Sequence, residues 1–546
     1  MKRIAYYLVE WHFLTDKEQW LRTYLKNFSL LSEFYRWNPL NEEDWKQLAE
    51  NRMKKTYPWL PDLVGGIRKF YGDAPLHPEV EKSLSLLQSG AMCVITGQQP
   101  GLFGGPAYTW IKAVATKRVA HYLQDLLQHP VVPIFWMVSE DSDLDEMNWT
   151  YLYPRGDFSG QVEWKIPEED KGKIAASVHL DASIYRVVNH FCTCLPETPR
   201  KNDVVNILSR AYCPGNTLSH SFFQLMEKFL SPLGIIFFDP TIAEFQKLKI
   251  PIFQQNIHKQ EEIHKILTET GKAIRKKGFK PQLFKQRNRL HFFHLTPDGK
   301  REKMEKLNGE IVTENRSGSV AEWESYLGQH PEKFAGGVVL RPMLQQFVFP
   351  CLCYVGGTSE LLYWAQIQPL YPLFHLDSCA FYPRPSIFLG FTRMFRILSE
   401  LGLPLSFLTP AHKELPPEVR KNALSPEGVH IEEVLEHLLV NEFPRINQKF
   451  SSSPVAEEVK AFRKELFELK NRWKKILINT EKENIHRAEE KWKKVYRWFF
   501  PNYQPQERVL NGLYFYLFSG EEFFRLIAEV TYPPQPASHF FFYEVS

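Results

Sequence analysis

Five carboxylates crowd the stretch Ser139-Glu140-Asp141-Ser142-Asp143-Leu144-Asp145-Glu146-Met147-Asn148. Glu140, Asp141, Asp143, Asp145 and Glu146 at this density could hold Mg²⁺, pair with a substrate ammonium, or supply a general base. The plain alternative is an acidic helix start favoured by the helix dipole. Upstream, Ile95 to Lys112 reads ITGQQPGLFGGPAYTWIK. Glycines at 97, 101, 104 and 105, ahead of a helical pattern, would leave backbone N–H groups free at a helix N-terminus, where a phosphate or carboxylate is favoured. The loop lacks the Gly-Lys-Ser/Thr end of a Walker loop and the GxGxxG spacing, so a tight turn with no ligand is an equal reading. The adjacent amides of Gln98 and Gln99 suit a polar ligand better than packing.

The surrounding elements bring these stretches together. Ala91 to Thr96 is an apolar run of strand length, Ala107 to about Leu127 has helical period, and Val131 to Val138 is a second apolar run. Strand, helix and strand in that order predict a βαβ unit and a parallel sheet, an α/β fold. Both polar stretches then sit at carboxyl ends of strands, where open α/β sheets bind ligands, and should open onto one crevice. Further strands are expected at Gly234–Phe238, Leu290–Leu295 and Gly337–Leu340, extending the sheet to about residue 385. Beyond Pro383-Arg384-Pro385 the pattern turns helical. Val455, Val459, Phe462, Leu466, Leu469, Trp473 and Ile476 alternate spacings of four and three, a coiled-coil seam that needs a partner helix: 429–449, another subunit, or both. A phase break near 479–484 precedes a second run ending at Phe499. The expected organisation is a core over 1–385, a helical region over 386–505 and a segment over 506–546 that returns to the core.

With 546 residues, 44% of them apolar and a formal charge of +4, the chain should be globular, and its electrostatics call for no nucleic-acid or membrane-surface partner. No apolar leader or membrane-length stretch is seen. Seven cysteines without a CxxC pair imply a reducing compartment, and a cytoplasmic location is expected. His121, His129, His291 and His294 read as ordinary surface or core residues, so no metal centre is predicted from them.

Taken together, the two polar stretches resemble the bacillithiol-synthesis cysteine ligase family, in which a TGQQxGLFxGPxYTxxK loop precedes a strand ending in EDHDxxExN. Leu340-Arg341-Pro342-Met343-Leu344-Gln345 is similar to its RPxxQ segment. Tyr354-Val355-Gly356-Gly357 with Glu360 and Tyr363-Trp364-Ala365 is similar to its YVGGPGExxYWA segment. Pro383-Arg384 and Gln506-Glu507-Arg508 with Asn511 fall where the family has PR and QER motifs. The resemblance implies a Rossmann-like core with inserted segments and a coiled coil that makes a homodimer. It also implies the last step of bacillithiol synthesis, which joins cysteine to the amino group of glucosaminyl-malate. Such amide formation needs an activated carboxyl, so ATP, with ADP as a product form and Mg²⁺ as a companion, is the economical cofactor. No HIGH-type or KMSKS-type signature is present.

Carried over residue by residue, Glu140, Asp141, Asp143 and Glu146 would form the catalytic acidic edge. Thr96, Gly97, Gln98, Gln99, Gly101, Leu102, Gly105, Tyr108 and Lys112 would line the substrate pocket, with Ser142 and Asn148 beside the acidic edge. Arg341, Gln345, Gly357, Glu360, Tyr363 and Arg384 would make its other walls. The chain departs from the pattern at Ser142, where the family has histidine, at Trp149, at Thr358-Ser359 in place of Pro-Gly, and at Gln346. These changes point to a divergent member with an altered substrate or lost activity. An ATP-using ligase or nucleotidyl transferase with a different amine acceptor and a non-catalytic coiled-coil ligand-binding protein are the competing readings.

Overall fold

The computed structural model describes residues 2–10, 15–154, 160–283, 287–414, 416, 417, 419, 425–451 and 453–544. The chain divides into two compact units. One comprises Glu10–Ile387 with Glu507–His539; the other comprises the strand up to Val9, Phe388–Gln506 and the chain from Phe540.

The larger unit is built on a five-stranded sheet of β1 (Met92–Gln98), β2 (Val131–Met137), β3 (Ile236–Phe238), β4 (Cys351–Gly356) and β5 (Ala380–Pro383), in spatial order 5-4-1-2-3. Every pairing is parallel. Strands covered on both faces read as unbroken apolar runs, and β2 is buried at all of its positions. Helix α1 (Ala107–Leu127) joins β1 to β2, and its buried residues lie all around its circumference from Trp110 to Leu123. Helices α2 (Arg341–Val348) and α3 (Thr358–Ile367) flank β4 in sequence. Strand order reverses between β1 and β4, the switch point at which α/β sheets open a crevice. Helices from Asp16 to Gln88 add a layer, anchored by bonds such as Tyr24 Oη to the Phe381 carbonyl (2.9 Å).

Two expected strands depart from the reading above. Leu290–Leu295 does form a strand, Arg289–Leu295, but it lies in a separate antiparallel sheet with Arg301–Leu307, Glu310–Val312, Ser317–Ser319 and Phe334–Gly336. Five of the seven residues of Arg301–Leu307 are charged, which a doubly covered parallel strand would not tolerate. Gly337–Leu340 is the turn that starts α2, and the strand lies just before it.

In the second unit, helices Pro426–His437 and Phe443–Phe450, joined by a π-helical turn, run along Ala456–Thr480, which is followed by Lys482–Phe499. Trp473 Nε1 donates to the Gly428 carbonyl, and Lys474 pairs with Glu432 at 3.4 Å. Only part of the seam is used internally. Val459, Leu466, Trp473 and Leu477 turn inward, whereas Val455, Phe462, Leu469 and Ile476 remain exposed, Phe462 at 59% and Ile476 at 50%. The terminal strands also differ from expectation. Lys2–Glu10 and Ala537–Glu544 form a three-stranded sheet with Ser386–Phe391, and the strand up to Val9 and the chain from Phe540 group with this unit instead of the core. Stacking of Tyr6 on Phe541 and of Phe388 on Phe540 accounts for the pairing.

Among the described residues, no helix is long and apolar enough to cross a membrane. All seven cysteines are free.

Candidate active site

A crevice of about 430 Å³ opens at the carboxyl ends of the parallel strands, over the switch point. Gly97, Gln98 and Gln99 from the end of β1 line it, with Tyr108 from the first turn of α1. Val138, Asp141, Asp143 and Glu146, after β2, form a second wall. Tyr354, Gly357, Ser359, Glu360 and Tyr363 come from β4 and α3, and Val338, Arg341, Arg384 and Arg508 close the far side. The amide-rich turn and the acidic run thus face the same space. Gln99 Nε2 donates to both Asp141 Oδ2 and Glu146 Oε2 at 3.1 Å.

The floor is a buried ion pair. Lys112, with a side chain only 1% exposed, donates from Nζ to the Gly97 carbonyl (2.6 Å), to Glu360 Oε1 (2.9 Å) and to Gln98 Oε1 (3.4 Å). Glu360 also accepts from Tyr354 Oη (2.8 Å) and from the Gly357 N–H (2.8 Å). Burial pushes the Glu360 carboxyl up, but Lys112 and these donors outweigh it and hold the group below its ordinary value. Burial pulls Lys112 down, with Glu360 opposing. Each donor and acceptor is spent inside the protein, so Lys112 and Glu360 position β1 against α3 and offer little to a ligand. A lysine on a helix gave no sign of this in sequence; its burial follows from α1 packing on the sheet.

The acidic run divides in two. Asp143 and Glu146 are exposed to the crevice, and Asp141 is held by Arg301 (2.9 Å), a residue of the antiparallel sheet whose guanidinium also donates to the Glu140 carbonyl. Glu140, expected at the catalytic edge, points away. Its carboxylate takes Lys249 Nζ at 3.2 Å and the Gly336 N–H at 3.1 Å, both buried, while Lys249 also donates to the Phe334 carbonyl at 2.6 Å. A carboxylate at the end of a strand faces the crevice or the core according to the pleat, and Glu140 takes the core side. Among the described residues no three His, Cys, Asp or Glu side chains are grouped to hold a metal ion.

The glycine loop is not the expected anion cradle. The N–H groups of Gly101, Gly104 and Gly105 bond to the carbonyls of Gln99, Gly101 and Leu102, that of Leu102 bonds to Met147, and that of Ala107 bonds to Leu510. Asn511 Nδ2 takes the Phe103 carbonyl. The loop is consumed in joining α1 to the Leu510–Gly512 segment. Gly104 is required because its φ is 85° and a Cβ there would meet Trp110 at 3.0 Å.

Several other expected residues also lie away from the crevice. Thr96 is buried with Oγ1 on the Val355 carbonyl, Asn148 ties to the Trp164 carbonyl, and Gln345 is buried in α2. Gly101, Leu102, Gly105 and Ser142 do not line it either. Ser142 therefore departs from the family pattern at a position outside the crevice wall.

The far side is cationic. Arg384 is paired with Glu507 (2.7 Å), Arg508 donates to Thr358 Oγ1 (3.2 Å), and the Arg341 guanidinium has no hydrogen bond or ion pair among the described residues. Arg341 and Arg508 thus face the crevice without a carboxylate partner. Tyr354 and Arg508 lay inside motifs already visible in the sequence without an assigned role. Arg301 and Lys249 had no sequence signal, because inserted segments deliver them.

The chain matches the family model described as bacillithiol biosynthesis BshC, N-terminal Rossmann-like domain, over residues 9–385, and the model for the C-terminal coiled-coil domain of BshC over residues 421–541. Similar proteins carry the name "Putative cysteine ligase BshC". One from Carboxydothermus hydrogenoformans is 30% identical over 70% of this chain and 71% of its own length. One from Exiguobacterium sibiricum is 27% identical over 84% and 85%. One from Bacillus cereus is 27% identical over 90% and 92%.

Proposed function

Because the chain belongs to the bacillithiol biosynthesis BshC family, we propose that it is a ligase that joins the carboxyl group of cysteine to the amino group of glucosaminyl-malate. One observation carries this reading: a single crevice at the switch point sets the carboxylates of Asp143 and Glu146 against the guanidinium groups of Arg341 and Arg508. Both substrates are amphoteric. The acidic wall suits the cysteine ammonium and the incoming amine, and the cationic wall suits the malate carboxylates, which guanidinium forks grip in a bidentate manner. Asp141, clamped by Arg301, keeps the acidic wall in place.

A carboxylate does not condense with an amine in water unless it is activated, so ATP is proposed as the co-reactant. When bound, ATP supplies the phosphoanhydride that turns the cysteine carboxylate into a mixed anhydride. Arg341 and Arg508 are the crevice cations without a carboxylate partner among the described residues, and phosphate oxygens would bind to them. The reaction is assigned to the cytoplasm, where seven free thiols stay reduced.

A second copy of the chain is proposed as partner through the exposed row Val455, Phe462, Leu469 and Ile476. These residues repeat every seven positions on Ala456–Thr480 and its preceding residue, as a coiled-coil seam requires.

The test is purified protein incubated with cysteine, glucosaminyl-malate and ATP, with mass spectrometry of the products. The expected product is the cysteinyl amide, with AMP or ADP released in equal amount. A folded protein that forms no amide at saturating substrate refutes the reading. Product formed only with a different amine supports the alternative acceptor.

A further inference from the structure

The polarity of the hydrogen bonds around Gln98 fixes where the Tyr108 proton points. Lys112 is buried and needs acceptors for its N–H groups, and Gln98 Oε1 is one of them at 3.4 Å. An ammonium cannot accept, so the side-chain oxygen of Gln98 must face Lys112 and its amide nitrogen must face away. Gln98 Nε2 then donates to Tyr108 Oη at 3.0 Å. Tyr108 Oη is an acceptor in this bond, so its own proton is turned elsewhere. Tyr108 lines the crevice, and among the described residues no acceptor takes that proton. The Arg384 guanidinium lies over the Tyr108 ring at 5.5 Å. A chain running from cation to amide to phenol polarises each bond in turn and strengthens the final donor.

We infer that Tyr108 is a catalytic hydrogen-bond donor to the carbonyl oxygen of the activated cysteine, and that Gln98 and Lys112 are positioning residues that aim it. The inference rests on the ligase reading above. In the step served, the amine nitrogen of glucosaminyl-malate attacks the carbonyl carbon of the mixed anhydride made with a nucleoside triphosphate. The C–N bond forms as the carbonyl π pair moves onto oxygen. That pair returns as the C–O bond to the phosphate leaving group breaks, and the amine proton passes to solvent at the acidic wall. The oxygen is an oxyanion only between these events, so a donor fixed on it favours the transition state over either ground state. Burial, with Glu360 adding to it, pushes the Tyr108 phenol up to about 12 against the pull of Arg384 and Arg508, so it keeps its proton at neutral pH.

Gln98→Glu discriminates this role from packing. A carboxylate at 98 accepts from both Lys112 and Tyr108, so the tyrosine proton turns inward and is lost to the crevice while the hydroxyl stays. Tyr108→Phe and Gln98→Glu are each expected to lower kcat about 100-fold, the lower end for loss of one oxyanion donor, with KM for both substrates within about threefold. The double variant should fall no further than Tyr108→Phe. By calorimetry, the phosphonamidate in which P(O)O⁻ replaces the amide carbonyl of the product should bind Tyr108→Phe at least tenfold more weakly than wild type. Wild-type turnover alongside an unimpaired Tyr108→Phe, or additive losses in the double variant, overturns the donor and leaves the ligase reading standing. Absence of product from the wild type overturns both.

Discussion

Replacing Glu140 by alanine should damage the fold, not the chemistry, and the size and pH dependence of the damage follow from its surroundings. Lys249, 1% exposed, would keep the Phe334 carbonyl as its one hydrogen-bond acceptor among the described residues, and the Gly336 N–H would lose its acceptor. Breaking a buried pair from one side typically costs about 3–5 kcal/mol. An independent bound agrees. Lys249 can escape its unpaired charge by releasing a proton, which at pH 7 costs about 4.6 kcal/mol for a lysine with an unfolded pKa of about 10.4. The variant is then folded with Lys249 neutral and unfolded with it protonated, so the unfolded state binds one more proton. Stability of Glu140→Ala relative to wild type should therefore rise by about 1.4 kcal/mol per pH unit from pH 7 towards 10. Urea unfolding followed by tryptophan fluorescence at pH 7, 8 and 9 measures both the deficit and its slope. The double variant Glu140→Leu/Lys249→Met should recover most of the stability and lose the slope, since a buried pair replaced by apolar groups costs little. A Glu140→Ala protein of wild-type stability that has nonetheless lost activity would refute the assignment and return Glu140 to the catalytic edge.

Arg341→Ala should raise KM for glucosaminyl-malate about 10- to 100-fold with little change in melting temperature, because the side chain pairs with none of the described residues; steady-state kinetics with both substrates varied will check this. His539 is buried and its pKa is pulled down to about 4 from an ordinary value near 6.5. The unfolded state therefore takes up the proton first as pH falls, and stability is full above about pH 6.5 and declines towards pH 4. The contribution lost between pH 7.5 and 5 is about 2 kcal/mol, and His539→Gln should remove that part of the acid sensitivity in urea titrations. Phe462→Glu with Ile476→Glu should convert the proposed dimer to a monomer in sedimentation experiments while leaving the larger unit's melting transition in place.

Much of the fold was legible in the sequence because its cause is local. The apolar runs at 91–96 and 131–138 have the length and composition of strands buried on both faces, and the helical period between them calls for a parallel connection. The long helix at 456–480 and its break before Lys482 were written in the spacing of Val459, Leu466 and Trp473. The shared crevice followed from the same logic, since the ends of adjacent parallel strands must open on one side.

What each polar residue does there was settled by tertiary structure. Pattern and composition cannot separate Glu140 from Glu146, since both are carboxylates on one short turn. One meets Lys249 and the other meets solvent and Gln99 only because segments far apart in the chain fold back to supply those partners. The glycine loop resembles an anion site in sequence, yet its glycine N–H groups are taken by carbonyls within the loop, and those of Leu102 and Ala107 by Met147 and Leu510, which no local rule brings near. Apolar periodicity encodes which face is buried, whereas a polar side chain's role depends on the distance and sign of its neighbours, and the long-range fold alone determines those.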